Sequence, residues 1–207
     1  MATRRYNVMI KGLSAHAGLA PHMGNNALLA AATAVQNLYA SPRHGKGMTR
    51  INVGKLISGT SSNVISDEAY METEIRGENT ELIEYMDHHF RRVLESAAQM
   101  HGCTVSFKLM AFEPSLTCDL PLAEKIDRIC KQYLNLNTTE SPVMKANGSD
   151  DVAHMIARVR SHGGMATYMR IHNKQTTGNH NPKYNLDEEY LSMSVKIFCT
   201  VTYELMK

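Results

Sequence analysis

The 207-residue sequence predicts a mixed α/β fold, with an α+β unit of order β-α-β-β-α-β followed by a second α/β region. Three observations predict it. Some segments alternate polar and apolar residues as strands do, others carry apolar residues at helical spacing, and the pattern changes at Pro114. Residues 1–113 are therefore expected to form a split βαβ sandwich, in which two helices cover one face of a four-stranded antiparallel sheet. The other face is expected to be free for a partner or a ligand.

Three of the four strands and one helix come first along the chain. Residues 5–11 alternate as a strand does, and the Ala-rich stretch 26–39 predicts a helix that ends before Ser-Pro. Residues 50–58 and 64–76 predict two strands joined by a Gly-Thr-Ser-Ser turn. The apolar face of the second strand carries Ile65, Ala69, Met71 and Ile75, and its polar face carries Glu68, Glu72 and Glu74.

The second helix and the fourth strand complete this unit. Asn79 is the expected cap of a helix that ends at Gly102, and residues 103–110 predict the last strand. The apolar positions of the helix recur at spacings of three and four: Leu82, Ile83, Met86, Phe90, Val93, Leu94 and Ala97.

Residues 114–207 predict three helices and one strand. The first helix begins near Pro121, the second covers about 149–160, and the third covers about 187–205. Residues 165–171 predict a buried strand. A lone strand cannot satisfy its own backbone, so this region is expected to be part of a larger sheet whose other strands come from elsewhere.

Composition excludes several functional classes. The net charge is +2, with basic residues scattered rather than clustered, which argues against nucleic-acid and membrane partners. With 43% hydrophobic residues and no signal-peptide or transmembrane pattern, the chain is expected to be a soluble cytoplasmic protein. The cysteines form no CxxC pair and are expected to be reduced core residues: Cys103, Cys118, Cys130 and Cys199.

Several loops are unusually rich in glycine and polar residues, and each also has an ordinary structural explanation. His16 lies in a small-residue loop and is, about two times in three, a surface or turn residue. Arg76 at a strand end is usually a solvated charge. The segment from Gly148 is a sound helix N-cap, and His180 before Asn-Pro can begin a turn.

Four segments in a fixed order change this balance. They run through nearly the whole chain: SAHAGLAPHMGNNALLAAATAVQNL, GMTRINVGKLISGTSSNVISDEAYMETEIRG, GSDDVAHM and GNHNPKYNLDEEYL. Together they resemble the zinc-dependent peptidase and amidohydrolase family that includes carboxypeptidase G, aminoacylase and hippurate hydrolase. The resemblance implies that residues 1–113 are a lid, or dimerisation, domain and that residues 114–207 are the C-terminal part of an α/β metallopeptidase catalytic domain.

The resemblance also implies roles for individual residues. His16 corresponds to the lid histidine that reaches the active site of the other protomer, where it stabilises an oxyanion. Asn63 and Arg76 correspond to the residues that bind the terminal carboxylate of the substrate. Gly148 corresponds to a loop whose backbone N–H groups lie near the substrate, and His180 corresponds to one metal ligand.

The family site holds two metal ions, zinc or manganese, mostly through residues that precede the lid and have no counterpart in this sequence. The expected function is therefore metal-dependent hydrolysis of N-acyl or N-aroyl amino acids such as aminobenzoyl-glutamate. The chain is expected to be a C-terminal portion that neither holds the metals nor acts alone. The expected partners are a second copy, paired through the lid, and a chain that supplies the N-terminal catalytic half.

Two other functions stay open. A non-catalytic dimerisation module is the main alternative, because the β-α-β-β-α-β unit has its own core and a free sheet edge or helix face. A nucleic-acid-binding domain of the same fold is given a weight of only a few per cent, roughly, because the central strands carry no exposed aromatic pair.

Overall fold

The computed structural model describes residues 1–136, 150–171, 181–182, 184–185 and 187–207. The chain divides into two compact units. The first comprises residues 1–116 and 146–154, and the second comprises residues 117–145 and 155–207.

The first unit contains a four-stranded antiparallel sheet and two helices, so the predicted fold class and the order β-α-β-β-α-β are confirmed. The strand order in the sheet is β2-β3-β1-β4. The elements are β1 (Ala2–Lys11), α1 (Ala27–Tyr39), β2 (Thr49–Ser58), β3 (Glu68–Gly77), α2 (Thr80–Met100) and β4 (Thr104–Glu113).

The core of this unit lies between one face of the sheet and the two helices. Both helices begin as predicted, because the side chain of Asn26 accepts the Leu29 N–H and that of Asn79 accepts the Leu82 N–H. Alternation along the strands places the apolar face inward. Large side chains of the core include Tyr6, Val8, Ile10, Leu38, Met71, Ile75, Met86, Phe90 and Leu94.

The predicted start of the third strand at residue 64 is wrong, because β3 begins at Glu68. Residues 64–67 leave the sheet and bond to other segments. The carbonyl of Ser66 accepts the Ala27 N–H at 2.8 Å, and that of Asp67 accepts the Gly12 N–H at 2.7 Å. The loop before β3 is thereby tied to the start of α1 and to the end of β1.

The face of the sheet opposite the helices carries cross-strand ion pairs. Arg5 Nε lies 2.9 Å from Glu74, Lys55 Nζ lies 3.2 Å from Glu72, and Lys11 pairs with Glu68. These opposite charges neutralise one another on neighbouring strands. The expectation that this face accepts a partner or a ligand stays a prediction.

In the second unit, α3 (Leu120–Leu134) and α5 (Glu189–Met206) pack together through a small apolar core. Helix α4 (Val152–Ser161) begins in the first unit and ends in the second. The prediction of a buried strand at residues 165–171 is wrong: the segment has no strand geometry and none of its side chains is fully buried. Its backbone bonds instead to Asp119, where the N–H of Asp119 donates to the carbonyl of Ala166 at 3.0 Å.

The cysteines are free, as expected, but not all belong to a core. Cys103 and Cys130 are buried, Cys118 is half-buried and Cys199 is exposed. The expectation of a core position is therefore wrong for Cys199, which lies on the outer face of α5. Among the described helices, none has both the length and the apolar composition needed to cross a membrane.

Candidate functional site

His16 and Asn63 lie side by side at one end of the first unit, although 47 positions separate them in the chain. The loop after β1 and the loop before β3 continue the antiparallel pairing of the two strands beyond the sheet. His16 and Val64 form an isolated bridge, and the Ala17 N–H donates to the Asn63 carbonyl at 2.9 Å. We call these two loops, residues 12–24 and 59–67, the tip.

The His16 ring is held by its own turn. Its Nδ1 atom accepts the backbone N–H of Gly18 at 3.2 Å and that of Leu19 at 3.1 Å. The turn is closed by the Ala20 N–H, which donates to the His16 carbonyl at 3.0 Å. The residue is exposed, so its Nε2 atom is accessible to a partner molecule.

The Asn63 side chain is also exposed and oriented locally. The Ser61 hydroxyl donates to Asn63 Oδ1 at 2.8 Å. Because the oxygen of the amide already has a donor, the amide nitrogen is left to donate to an anionic group. The tip therefore offers hydrogen-bond donors of two kinds, a ring and an amide.

The tip also presents apolar side chains to solvent. Leu19 and Met23 are 82% and 61% exposed, and Leu13 is 55% exposed. Exposed apolar groups beside functional polar groups are typical of a surface that is covered when another molecule binds.

Arg76 lies at the opposite end of the sheet. It is near the end of β3 and faces Thr3 at the start of β1, whereas the tip continues from Lys11 and Glu68 at the other end. Glu68 and Arg76 are eight residues apart on one strand, which at about 3.3 Å per residue is roughly 26 Å. The structure therefore brings His16 and Asn63 together and does not bring Arg76 to them.

Glu74 holds Arg76 by a hydrogen bond from Nε to Oε1 at 2.5 Å. That bond raises the pKa of Arg76 above its ordinary value, and partial burial opposes it. Burial by itself raises the pKa of Glu74, but the hydrogen bonds from Arg76 and Arg5 outweigh it, so the pKa of this carboxyl lies below its usual range. Arg76 is thus a fixed cation whose terminal Nη atoms point away from this bond.

Gly148 and His180 lie outside the described residues, so their roles stay predictions. Next to the first of them, Asp150 is described. Its carboxylate accepts the Val152 N–H at 3.1 Å at the start of α4. The ordinary explanation of the Gly-Ser-Asp-Asp segment as a helix cap is therefore supported at Asp150.

The described residues do not fit a dinuclear metal centre. Within them, no three side chains of the types His, Cys, Asp and Glu come together as a metal site requires. No chemical step can accordingly be assigned to a metal from this geometry.

Sequence reasoning missed the residues that orient the candidates. Ser61 positions Asn63 and Glu74 positions Arg76, and the backbone of Gly18 and Leu19 holds His16. Glu74 could have been found, because residues two apart on a strand share a face. The turn at His16 left no signal beyond the small residues around it.

Comparison with protein families gives one match in the first unit. Residues 3–100 match the model described as a peptidase dimerisation domain. The match spans β1 to the end of α2 and therefore includes His16, Asn63 and Arg76.

Curated relatives match almost the whole chain. It is 34% identical over 206 residues to a Haemophilus influenzae homolog of one p-aminobenzoyl-glutamate hydrolase component, covering 100% of this chain and 48% of that protein. It is 34% identical over 199 residues to indole-3-acetyl-aspartic acid hydrolase of Enterobacter agglomerans, covering 95% and 45%. The chain thus spans about half the length of these relatives.

Solved structures share the fold. An aminobenzoyl-glutamate utilization protein of Klebsiella pneumoniae aligns with a TM-score of 0.72 and 32% identity over 81% of this chain and 43% of that one. A dinuclear metal-binding peptidase of the M20 family from Bacillus subtilis aligns with a TM-score of 0.73 and 22% identity over 97% and 49%. The second likeness shows the fold alone.

Proposed function

The chain belongs, through residues 3–100, to the peptidase dimerisation domain family of M20 peptidases, and we propose that it acts as the lid and C-terminal part of a metal-dependent amidohydrolase. Residues 1–113 would be the lid, and residues 114–207 would be part of the catalytic domain. The substrates we propose are N-acyl or N-aroyl amino acids.

The observation that carries the proposal is the pairing of the two loops at the tip. His16 can donate a hydrogen bond to the oxygen that becomes negative when an amide carbonyl is attacked. Asn63 can donate to a carboxylate from a position one residue pair away. One molecule that carries both an amide carbonyl and a carboxylate could therefore contact both side chains.

The distance between the tip and Arg76 supports a site built from two copies. About 26 Å separates the two ends of β3, which is longer than an N-acyl amino acid. If Asn63 and Arg76 bind the same substrate, they must come from different chains. We propose that the tip of one chain reaches the site of the other, where that chain's own Arg76 lies.

The relatives suggest a substrate class. p-Aminobenzoyl-glutamate and indole-3-acetyl-aspartic acid, in the names of two relatives, both join an aromatic acid through an amide to a dicarboxylic amino acid. We propose the same class here, with aminobenzoyl-glutamate as the first compound to test. Two receptors for anionic groups, Asn63 and Arg76, suit a product amino acid that carries more than one carboxylate.

Metal ions enter the proposal through the family. A similar fold is described as a dinuclear metal-binding peptidase, and we propose two zinc or manganese ions for the complete enzyme. His180 would supply one ligand, the Gly148 loop would lie near the substrate, and the remaining ligands would come from the part of the relatives that this chain does not cover. Bound metal would activate the attacking water.

Reconstitution tests the proposal. The chain would be assayed for hydrolysis of aminobenzoyl-glutamate and of hippurate with Zn²⁺ or Mn²⁺, alone and mixed with the part of the Haemophilus influenzae relative that it does not cover. We expect no turnover alone and turnover in the mixture. His16→Ala should lower kcat about 10²- to 10³-fold, as loss of one oxyanion donor does. His22→Ala, which alters an exposed histidine of the same loop, is the matched control.

Other results would contradict the proposal in defined ways. No hydrolysis by the mixture would reject the split-enzyme hypothesis. Equal activity of His16→Ala and His22→Ala would reject the role of His16. Turnover by the chain alone that is abolished by His180→Ala would show that these 207 residues form a complete site.

A non-catalytic dimerisation module is the second candidate. The observation that favours it is a complete core in the first unit together with a free edge strand, β2, on which Ile57 is 56% exposed. Sedimentation separates this candidate from an isolated domain, since a monomer at all concentrations would contradict it. Pairing without any hydrolysis in the reconstituted mixture would favour it over the enzyme.

A further inference from the structure

We infer that the backbone amides of Gly18 and Leu19 lock the His16 ring in the tautomer that carries its proton on Nε2. The inference rests on the proposed function, since it specifies how His16 would act there. In this tautomer the exposed nitrogen of His16 is a hydrogen-bond donor, and the ring cannot accept a proton from an attacking water at that atom.

The evidence is the geometry of two hydrogen bonds. Nδ1 lies 3.2 Å from the Gly18 nitrogen and 3.1 Å from the Leu19 nitrogen, and both of these atoms are backbone donors. A neutral imidazole has one N–H and one lone pair. The nitrogen that accepts the two amides must therefore carry the lone pair, and the proton must be on the other nitrogen.

The opposite tautomer would place three N–H groups against one another. A proton on Nδ1 would point at the amides of Gly18 and Leu19, and both amides would lose their acceptor. A donor that loses a fixed acceptor raises the free energy of the state in which it does so. Each amide therefore biases the ring toward a proton on Nε2.

The turn that supplies these amides is fixed from both sides. The N–H of Ala17 donates to the Asn63 carbonyl at 2.9 Å, and that of Ala20 donates to the His16 carbonyl at 3.0 Å. Residues 18 and 19 lie between these two bonds. The loop that places Asn63 beside His16 is therefore the same loop that holds the amides over Nδ1.

This arrangement distinguishes two possible roles. An oxyanion stabiliser must donate a hydrogen bond, whereas a general base must accept a proton. With Nδ1 occupied by Gly18 and Leu19, the exposed Nε2–H of His16 suits the first role. Gly18 and Leu19 are thus positioning residues that act through the backbone, and the Leu19 side chain, 82% exposed, takes no part.

Nitrogen-15 NMR of the full chain at about pH 9, above the ordinary histidine range, tests the inference. The ring shifts and the ring proton–nitrogen correlations of His16 should report a single Nε2–H tautomer. Couplings across the hydrogen bonds should connect Nδ1 with the amide nitrogens of Gly18 and Leu19. His22, for which the described residues show no ring hydrogen bond, is the reference in the same spectrum.

Two variants at one exposed position give matched controls. Leu19→Pro removes the amide N–H, so the His16 ring shifts should move toward those of His22. Leu19→Ala keeps the N–H and removes most of the side chain, so the shifts should stay as in the unaltered chain. The couplings measured without any substitution keep the test valid if proline disturbs the turn.

The opposite observations would overturn the inference. These are a proton on Nδ1, an averaged spectrum equal to that of His22, or an equal response of the proline and alanine variants. The spectra need neither metal nor substrate. Failure of reconstitution with the expected spectra would reject the proposed function alone, and active enzyme with an averaged His16 ring would reject only the lock.

Discussion

At the scale of single residues, the first unit carries its polar candidates at two separate ends. His16 and Asn63 share the tip because their backbones pair, and Arg76 lies near the point where β1 begins. Each candidate is oriented by a neighbour that has no chemistry of its own in the proposal. Substitution of such a neighbour is therefore expected to affect function through geometry rather than through loss of a reacting group.

Asp119 is the most strongly perturbed carboxyl of the second unit. Its oxygens accept bonds from Arg160 Nε at 3.1 and 3.0 Å and from the Ala166 N–H at 2.8 Å. The hydrogen bond from Arg160, followed by that from Ala166, lowers the pKa of Asp119 to about 2. The residue thus joins the start of α3, the end of α4 and the segment that follows.

Replacing this carboxylate should produce a pH-dependent loss of stability. The pKa is depressed in the folded state, so the carboxylate contributes fully above its unfolded value of about 3.9, and the contribution is lost as the pH falls toward 2. Asp119→Asn should therefore lower the urea midpoint at pH 7, and the difference from the unaltered chain should shrink between about pH 4 and pH 2.

The measurement is urea unfolding followed by circular dichroism at several pH values. Glu124→Gln, an exposed carboxylate on the same helix, is the control and should show no such dependence. A constant difference between Asp119→Asn and the unaltered chain at every pH would show that shape, rather than charge, stabilises this contact.

At the scale of elements, β2 is the exposed edge next to the tip. Its outer residues Leu56 and Ile57 are 39% and 56% exposed, shortly before the loop that carries Asn63. The pairing of β2 with β3 shifts register between Val53 and Lys55. There the Tyr39 hydroxyl accepts the Val53 N–H at 3.0 Å, so α1 covers the middle of the edge and leaves its last residues open.

Ile57→Lys should weaken self-association if two chains pair through the lid at this edge. A lysine on an edge strand opposes pairing because its charge would have to be buried. Sedimentation over a range of protein concentrations measures the change. We expect a rise in the dissociation constant of tenfold or more, at about 1.4 kcal/mol for each factor of ten.

Leu109→Lys is the matched control for this variant. Leu109 is 50% exposed and lies on β4, the other edge of the sheet. A dissociation constant raised by Leu109→Lys and unchanged by Ile57→Lys would assign the interface to β4 instead. No change in either variant would place the interface away from both edges.

At the scale of the whole molecule, each unit has an apolar core of its own. The large core of the first unit is built entirely from residues between Ala2 and Cys103. The second has a small core between α3 and α5, while α5 exposes Leu191 and Phe198 at 52% each. The first unit thus meets the usual condition for folding alone, and the second leaves apolar helix surface in solvent.

A shortened chain of residues 1–116 should therefore fold cooperatively. Urea unfolding measured by circular dichroism should give a single transition for it. Phe90→Ala in this chain should lower the free energy of unfolding by about 3–5 kcal/mol, because Phe90 is fully buried.

Met100→Ala serves as the control in the same fragment. Met100 is 71% exposed at the end of α2, so its effect should stay within about 0.5 kcal/mol. A non-cooperative transition for the shortened chain would show that the first unit depends on residues after 116.

The sequence by itself determined the elements of the first unit and the face that each buries. Alternation in β3 and the three- and four-residue spacing in α2 depend on neighbours along the chain, and so do the caps Asn26 and Asn79. It also indicated His16 and Asn63 as candidates, because loops rich in small and polar residues can be recognised without knowing what they contact.

Only the tertiary structure decided which of these residues meet. It brought His16 to Val64, placed Arg76 at the far end of the sheet, and joined residues near 166 to Asp119 where a strand was predicted. These outcomes depend on hydrogen bonds between segments distant in the chain. Their partners and register are set by packing of the whole unit, which no local pattern records.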